Sequence, residues 1–225
     1  MPGERPFPDM ACVGDRRAVE NARFYIASNP WRSEEEFDES GERDVRLFFE
    51  GDEELLAPDR VVLDIGCAIG RMVRHVAPRI GRLIGVDVSA EMIERARERL
   101  AEHANVELPV GDGWTLQPVG ADSVDLVYTY IVLQHVPRPV AHSHFRDAHR
   151  VLRPGGHFLP QLPGEPQPVP EEPPDEDTFG LRFYAGDELR RTFEELGYAR
   201  EGCGRHRVVG DVTSFVHLRP RLREP

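Results

Sequence analysis

The chain contains no lysine; all 28 of its basic residues are arginine. That excludes Schiff-base catalysis and a Walker-type phosphate lysine. Cysteine is scarce. Cys12, Cys67 and Cys203 are odd in number and widely spaced, which argues against a disulfide framework and against a zinc site. No apolar run approaches the ~20 residues of a transmembrane helix. Residues 1–15 are polar and lack the apolar centre of a signal peptide. The expectation is a reduced, cytoplasmic protein with no membrane partner. Acids outnumber bases, 40 to 28, for a net charge of -12. Such a surface repels phosphate backbones, so no nucleic-acid partner is expected. What remains is ordinary: 225 residues, 40% of them hydrophobic, enough for one α/β domain.

Hydrophobic spacing divides the chain. Residues 1–15 read as a mobile tail. Residues 16–54 read as an N-terminal helical cap carrying Phe24, Tyr25, Trp31, Phe37, Phe48 and Phe49. Asn29-Pro30 breaks it, because the residue before proline avoids helical backbone. Ser33 with Glu36 resembles a capping box that restarts it, and Gly41 is a candidate interruption. From residue 60 strand and helix alternate. Strands are expected at 60–65, 83–87, 106–110, 124–132 and 157–162, and helices at 69–78, 89–103 and 140–152. The short apolar runs suit strands buried on both faces, and the βα rhythm implies a doubly wound parallel sheet.

Six prolines and six acids then fill 163–178. That composition reads as an extended loop leaving the carboxyl end of a strand, either a lid or an insertion. A helix over 185–196 closes at Gly197. Strands at 199–208 and 211–218 flank Gly210-Asp211 as a hairpin, and 219–225 is a second tail.

The informative stretch is Leu63-Asp64-Ile65-Gly66-Cys67-Ala68-Ile69-Gly70-Arg71. It joins a buried strand to a helix through glycines, which let backbone approach a ligand closely. Asp87 ends the next strand about twenty residues on, where an acid can hold ribose hydroxyls. A dinucleotide turn has G-x-G-x-x-G; here the spacing is Gly66-x-x-x-Gly70, and Asp64 adds a carboxylate. A pyrophosphate is disfavoured by that charge, whereas an ammonium-bearing nucleoside suits it. An NAD(P)-linked oxidoreductase is therefore the weaker alternative.

With 62–70, 85–92, Gly111-Asp112-Gly113, 125–136 and 150–156 in this order, the chain resembles the class I, Rossmann-like S-adenosylmethionine-dependent methyltransferases over about residues 55–218. The resemblance implies a mostly parallel seven-stranded sheet with helices on both faces and an antiparallel edge strand. It implies S-adenosyl-L-methionine as cofactor, S-adenosyl-L-homocysteine as product, and a small-molecule acceptor. Asp64 is then the partner of the methionine ammonium. Gly66, Cys67 and Gly70 line methionine and ribose, and Asp87 takes the ribose hydroxyls with Val88 beside it. Met92 packs on adenine, Asp112 accepts from the adenine amino group next to Gly113 and Trp114, and Tyr130 sits near the sulfonium. Ala68 stands where many members have glycine.

Plainer readings stand beside these. Asp64 and Asp112 can cap their own turns, and Cys67 and Met92 can be packing. His135, just past the fourth strand, is the candidate general base; the alternative is a structural histidine that pins the following loop. His142, His144 and His149 do not share a helix face, so no metal is expected. A non-catalytic S-adenosylmethionine-binding protein fits the same motifs. The acceptor, the atom methylated and the oligomeric state are not specified by these residues.

Overall fold

Five apolar runs pair in parallel: β1 (Val61–Ile65), β2 (Arg82–Val86), β3 (Val106–Glu107), β4 (Val124–Thr129) and β5 (Leu152–Pro163). They lie in the order β3-β2-β1-β4-β5 in a computed structural model. It describes residues 9–27, 33–164, 168, 170–199, 205–209, 212–217 and 221–222. The order reverses between β1 and β4. In an open α/β sheet the crevice beyond the carboxyl ends of the strands at such a point is where ligands bind.

Alternation along each strand makes two cores. Leu63, Ile65, Ile84, Val86 and Val127 face one side, against α5 (Arg138–Val151) and α6 (Gly186–Glu195). Val62, Leu83, Leu126 and Tyr128 face the other, against α2 (Glu34–Phe48), α3 (Val73–Val76) and α4 (Ala90–Arg99). Helix starts follow local chemistry. Ser33 Oγ accepts from the Glu36 amide at 3.1 Å, and Ser89 Oγ from the Met92 amide at 3.1 Å.

Several expectations are corrected. The sheet is not seven-stranded with one antiparallel edge strand. Its parallel body has five strands. Beyond it come short antiparallel pieces, β6 (Tyr198–Ala199), β7 (Arg205–Val209), β8 (Val212–His217) and β9 (Arg221–Leu222). β8 meets only Gln161, Leu162 and Pro163 at the end of β5, and β9 meets β5 at His157. A helix begins inside the range expected as N-terminal tail. α1 spans Met10–Ala27, held at its start by Asp9 Oδ1, which accepts from the Cys12 amide. β9 falls in the expected C-terminal tail.

Gly41 does not interrupt α2; a Cβ there would come within 2.5 Å of the Arg71 carbonyl, so it permits close packing. The expected helix at 69–78 shrinks to α3, because Gly66, Ala68 and Gly70 all take positive φ. β4 stops at Thr129, and β3 is only two residues. The hairpin tip Gly210-Asp211, Cys203 and the Asn29-Pro30 break lie outside the described residues. Asn21 instead kinks α1, at φ -170 and ψ 83, and its Oδ1 accepts from the Phe24 amide.

α6 closes the first core through Phe193, whose ring lies 5.1 Å from Phe145, 5.9 Å from Phe158 and 5.5 Å from Tyr198. Phe193→Ala is expected to lower unfolding free energy by about 3–5 kcal/mol, read from urea melts. A loss below 1 kcal/mol would mean that α6 is not part of the cooperative core.

Candidate active site

The turn after β1 is the first wall of a cavity of about 380 Å³, within the range of small-ligand sites. Gly66 turns at φ 79, and a Cβ there would meet Val132 Cγ2 at 2.4 Å. Only glycine lets the backbone reach this position. Its amide, and that of Cys67, donate to the Val86 carbonyl at the end of β2. Asp87 completes the wall. Its Oδ2 accepts from the Ala68 amide at 3.0 Å and its Oδ1 from the Ser89 amide at 2.9 Å. Burial raises the Asp87 pKa, and those backbone donors oppose the rise. A carboxylate has about four acceptor sites, so capacity remains for two hydroxyls.

Five residues expected from the sequence meet on the cavity wall: Gly66, Asp87, Met92, Tyr130 and His135. The others stand behind it. Asp64 is buried under the turn and accepts from Tyr128 Oη at 2.8 Å. Cys67 is buried in the core facing α4, and burial pushes its thiol well up. Gly70 abuts Leu100. A Cβ on Gly113 would meet Val88 Cγ2 at 2.7 Å, so those two pack together. Asp112 is exposed and caps its own turn, accepting from the Trp114 amide at 2.8 Å and the Thr115 amide at 2.6 Å.

β4 ends in strain. Ile131 has φ 58, which a β-branched residue avoids, and its amide donates to Gln161 Oε1 at 2.7 Å. The turn sends Tyr130 and Ile131 to the wall. Burial raises the Tyr130 pKa, and its ring packs on Phe48 at 5.4 Å. His135 follows in a 3-10 turn, Leu133–His135. Its Nδ1 lies 3.0 Å from the Phe179 carbonyl, and its Nε2 3.2 Å from Gln134 Nε2. Those partners assign the proton to Nδ1 and leave Nε2 as acceptor. Burial lowers the imidazole pKa, which keeps it neutral near pH 7.

The opposite wall is made by α1, including Tyr25 of the expected cap, and by Thr178, Phe179 and Leu181; sequence reasoning did not single out the other α1 residues or Phe179 and Leu181. Met10, Val13, Gly14 and Arg17 line it at helical spacing. That i, i+3, i+4, i+7 stripe is the available signal, in a stretch whose polarity reads as largely tail. Asp15 docks the helix, accepting from Ser89 Oγ at 2.6 Å and the Glu91 amide at 3.1 Å. Among the described residues no group of three or more His, Cys, Asp or Glu is placed to hold a metal, and no helix is long and apolar enough to cross a membrane.

Residues 62–156 match the family model described as a methyltransferase domain. Over those residues the chain is similar to the class I S-adenosylmethionine-dependent methyltransferases, which use S-adenosylmethionine as cofactor. An arsenite methyltransferase of Halobacterium salinarum is 33% identical over 153 residues, covering 64% of this chain and 38% of the relative. Phosphoethanolamine N-methyltransferase 1 of Haemonchus contortus, solved with phosphoethanolamine and S-adenosylhomocysteine, superposes with a TM-score of 0.68 at 17% identity. That match covers 94% of this chain and 48% of the other. The cyclase SpnF superposes with a TM-score of 0.70 at 16% identity, covering 95% and 96%. The chain spans less than half the length of the curated relatives it matches.

Asp64 carries a pH signature. Burial pushes its carboxyl up to about 7, against the pull of the Tyr128 hydrogen bond. The unfolded value is about 3.9. The folded state therefore binds the proton more tightly. The stability this confers is complete below about pH 4 and is lost as pH rises through 7. Asp64→Asn keeps an oxygen for Tyr128 and cannot ionise. Between pH 5 and pH 8 the wild type is expected to lose stability relative to Asp64→Asn in urea melts. An unchanged gap would mean that the Asp64 carboxyl ionises as it does in the unfolded chain.

Proposed function

We propose that this chain transfers a methyl group from S-adenosylmethionine to a small-molecule acceptor by direct in-line displacement. The observation that carries the reading is the convergence of Gly66, Asp87, Met92 and Tyr130 on one cavity at the carboxyl ends of β1, β2 and β4. The residues fit an adenosyl amino acid. The glycine turn leaves no room for a Cβ, and Asp87 has acceptor capacity left for ribose hydroxyls.

When bound, S-adenosylmethionine supplies a methyl carbon made electrophilic by its sulfonium. The chain's own residues do the rest. Asp87, with Val88 beside it, would hold the ribose hydroxyls. Gly66, Cys67 and Gly70 shape the turn around methionine and ribose. Met92 would pack on the adenine, near the Asp112, Gly113 and Trp114 turn. Asp64 would face the ammonium with its charge. Tyr130 and the strained Ile131 would border the reacting centre, and α1 would exclude water from it. His135 would take an acceptor proton at Nε2 once Gln134 gives up its hydrogen bond there.

The named relatives methylate different things by their names: arsenite, trans-aconitate and phosphoethanolamine. The acceptor class therefore has to come from this chain's own walls.

Isothermal titration with S-adenosylhomocysteine tests the cofactor. Asp87→Ala is expected to weaken binding by about 1.5–3 kcal/mol, roughly ten- to a hundredfold, through loss of a charged acceptor. Equal affinity in both proteins would move the ribose site elsewhere. Binding of NADH in place of S-adenosylhomocysteine would favour the oxidoreductase reading.

His135→Asn separates base from pin. A base predicts turnover lowered about 10²–10⁴-fold and a lost acidic limb in the pH–rate profile, with S-adenosylhomocysteine affinity kept. An unaltered rate and profile from about pH 4.5 to 9 leaves His135 only its hold on the Phe179 carbonyl.

A further inference from the structure

The wall opposite the glycine turn carries a cation that meets no carboxylate among the described residues. Arg17 is the one cationic side chain among the described residues of the cavity wall, in a chain with no lysine. Other arginines drawn into the fold meet carboxylates. Arg71 pairs with Asp44 at 2.7 Å, Arg99 with Asp38 at 2.5 Å, Arg138 with Glu172 at 2.6 Å and Arg150 with Asp147 at 2.9 Å. Arg17 is half-buried and, among the described residues, makes no ion pair. Its one hydrogen bond runs from Nη1 to the Thr178 carbonyl at 3.1 Å.

Asp177 and Glu20 act on it through charge without forming an ion pair. Asp177 Oδ1 accepts from the Phe179 and Gly180 amides, and Glu20 Oε2 accepts from Tyr25 Oη at 3.0 Å. The guanidinium lies over two rings, 5.3 Å from the Tyr25 centroid and 5.9 Å from that of Phe179. Aromatic faces orient a guanidinium but leave its in-plane N–H fork open. Burial lowers its pKa, yet arginine stays charged. A partly desolvated cation that meets no carboxylate among the described residues favours an anion, and a planar fork suits a carboxylate or a phosphate.

We propose that Arg17 receives a carboxylate or phosphate of the methyl acceptor, so that the acceptor class is a small anion with an apolar body. This rests on reading the cavity as the cofactor and acceptor site. The cofactor carries a carboxylate of its own. Two placements favour the acceptor as the source. Arg17 bonds the Thr178 carbonyl, lies over the Phe179 ring and acts on His135 through its charge. Asp64, the partner expected for the cofactor's ammonium, already has Arg71 as its neighbouring cation. Apolar neighbours Val13, Ile26, Val136 and Leu181 supply the remainder of the acceptor side.

The test uses the full chain and Arg17→Met, which keeps an unbranched apolar stem over the two rings. Each is titrated with S-adenosylhomocysteine, then, loaded, with benzoate, phenyl phosphate and the neutral isostere benzamide. The expected result is S-adenosylhomocysteine affinity within about twofold in both proteins. Benzoate or phenyl phosphate is expected to bind wild type at least about tenfold tighter than benzamide, the scale of one charged hydrogen bond. Arg17→Met is expected to erase that preference.

Anions that bind wild type no tighter than benzamide overturn the proposal. So does equal weakening of all three probes in Arg17→Met, which makes Arg17 a latch for Phe179. A tenfold loss of S-adenosylhomocysteine affinity in Arg17→Met also overturns it, and gives the guanidinium to the cofactor's carboxylate. If wild type binds no S-adenosylhomocysteine, the cofactor reading fails by itself, and the three probes are titrated into the free protein. There, an anion preference that Arg17→Met erases supports the proposal, and no preference in wild type overturns it.

Discussion

The Asp87 carboxylate is the fastening on which the site depends. It sits at the end of β2 and reaches across to the turn that leaves β1, where the Ala68 amide donates to it. Ala68 is held at φ 47, a left-handed conformation that costs an L-residue roughly 1–2 kcal/mol. The hydrogen bond to a carboxylate, worth about 1.5–3 kcal/mol, offsets that cost. With Gly66 and Gly70 also at positive φ, the turn cannot wind into a helix, and α3 starts only at Val73. The unwound stretch leaves backbone at the cavity wall where a helical turn would have filled the space. Remove the carboxylate and Ala68, midway between the two positive-φ glycines, loses that anchor.

A second constraint sits at β4. There the chain leaves the sheet through Ile131 in the left-handed region, held by Gln161 from the neighbouring β5. Strain of this kind persists only where the surroundings over-determine it, and it clusters at ligand sites. The same turn leads to His135, whose ring bonds the Phe179 carbonyl. Phe179 in turn meets Tyr25 of α1, with ring centroids 6.4 Å apart. One chain of contacts thus links the end of β4, the segment after the proline-rich stretch and the N-terminal helix. Buried Arg182 steadies it, donating to the carbonyls of Asp177 and Pro174. The proline- and acid-rich composition reads as solvated loop, and its described residues are mostly exposed. Its end is nonetheless fixed, because one guanidinium satisfies carbonyls that no helix or sheet would reach.

The parallel body is legible in the sequence because its signals are local and strong. Apolar runs of five residues, two Ser caps and the Gly66-to-Asp87 spacing each carry their own physics. Element ends are less legible, since tertiary contacts set them. β4 ends at a strained turn, and α3 is shortened by a turn whose conformation depends on Asp87, nineteen residues away from Ala68. The site divides the same way. Gly66, Asp87, Met92, Tyr130 and His135 lie on the cavity wall, and each follows a strand end. Asp64 is legible as a charge at the turn, but its burial against Tyr128 comes from the register of β1 with β4. Asp112 is legible as a turn residue and stands as one, with its oxygens on the Trp114 and Thr115 amides. Arg17 and Phe179 come from segments far apart in sequence, so no spacing rule joins them.

That division has a functional consequence. The matched domain, 62–156, contains the glycine turn, Asp87, Met92, Tyr130 and His135. The opposing wall, with Arg17, Tyr25 and Phe179, comes from outside it. Turn and carboxylate lie on adjacent strands of the first wall. What faces the reacting atom is then chosen by whatever the chain adds at either end. The cyclase SpnF shares this fold over nearly its whole length, so the fold does not by itself dictate the reaction. Chemistry is decided at the second wall. A half-buried guanidinium over two aromatic rings discriminates by charge. A neutral ligand of the same shape leaves it desolvated and unpaired, whereas an anion satisfies it. The net charge of -12 opposes an anion at long range, so the preference for one has to come from the short-range contact at Arg17.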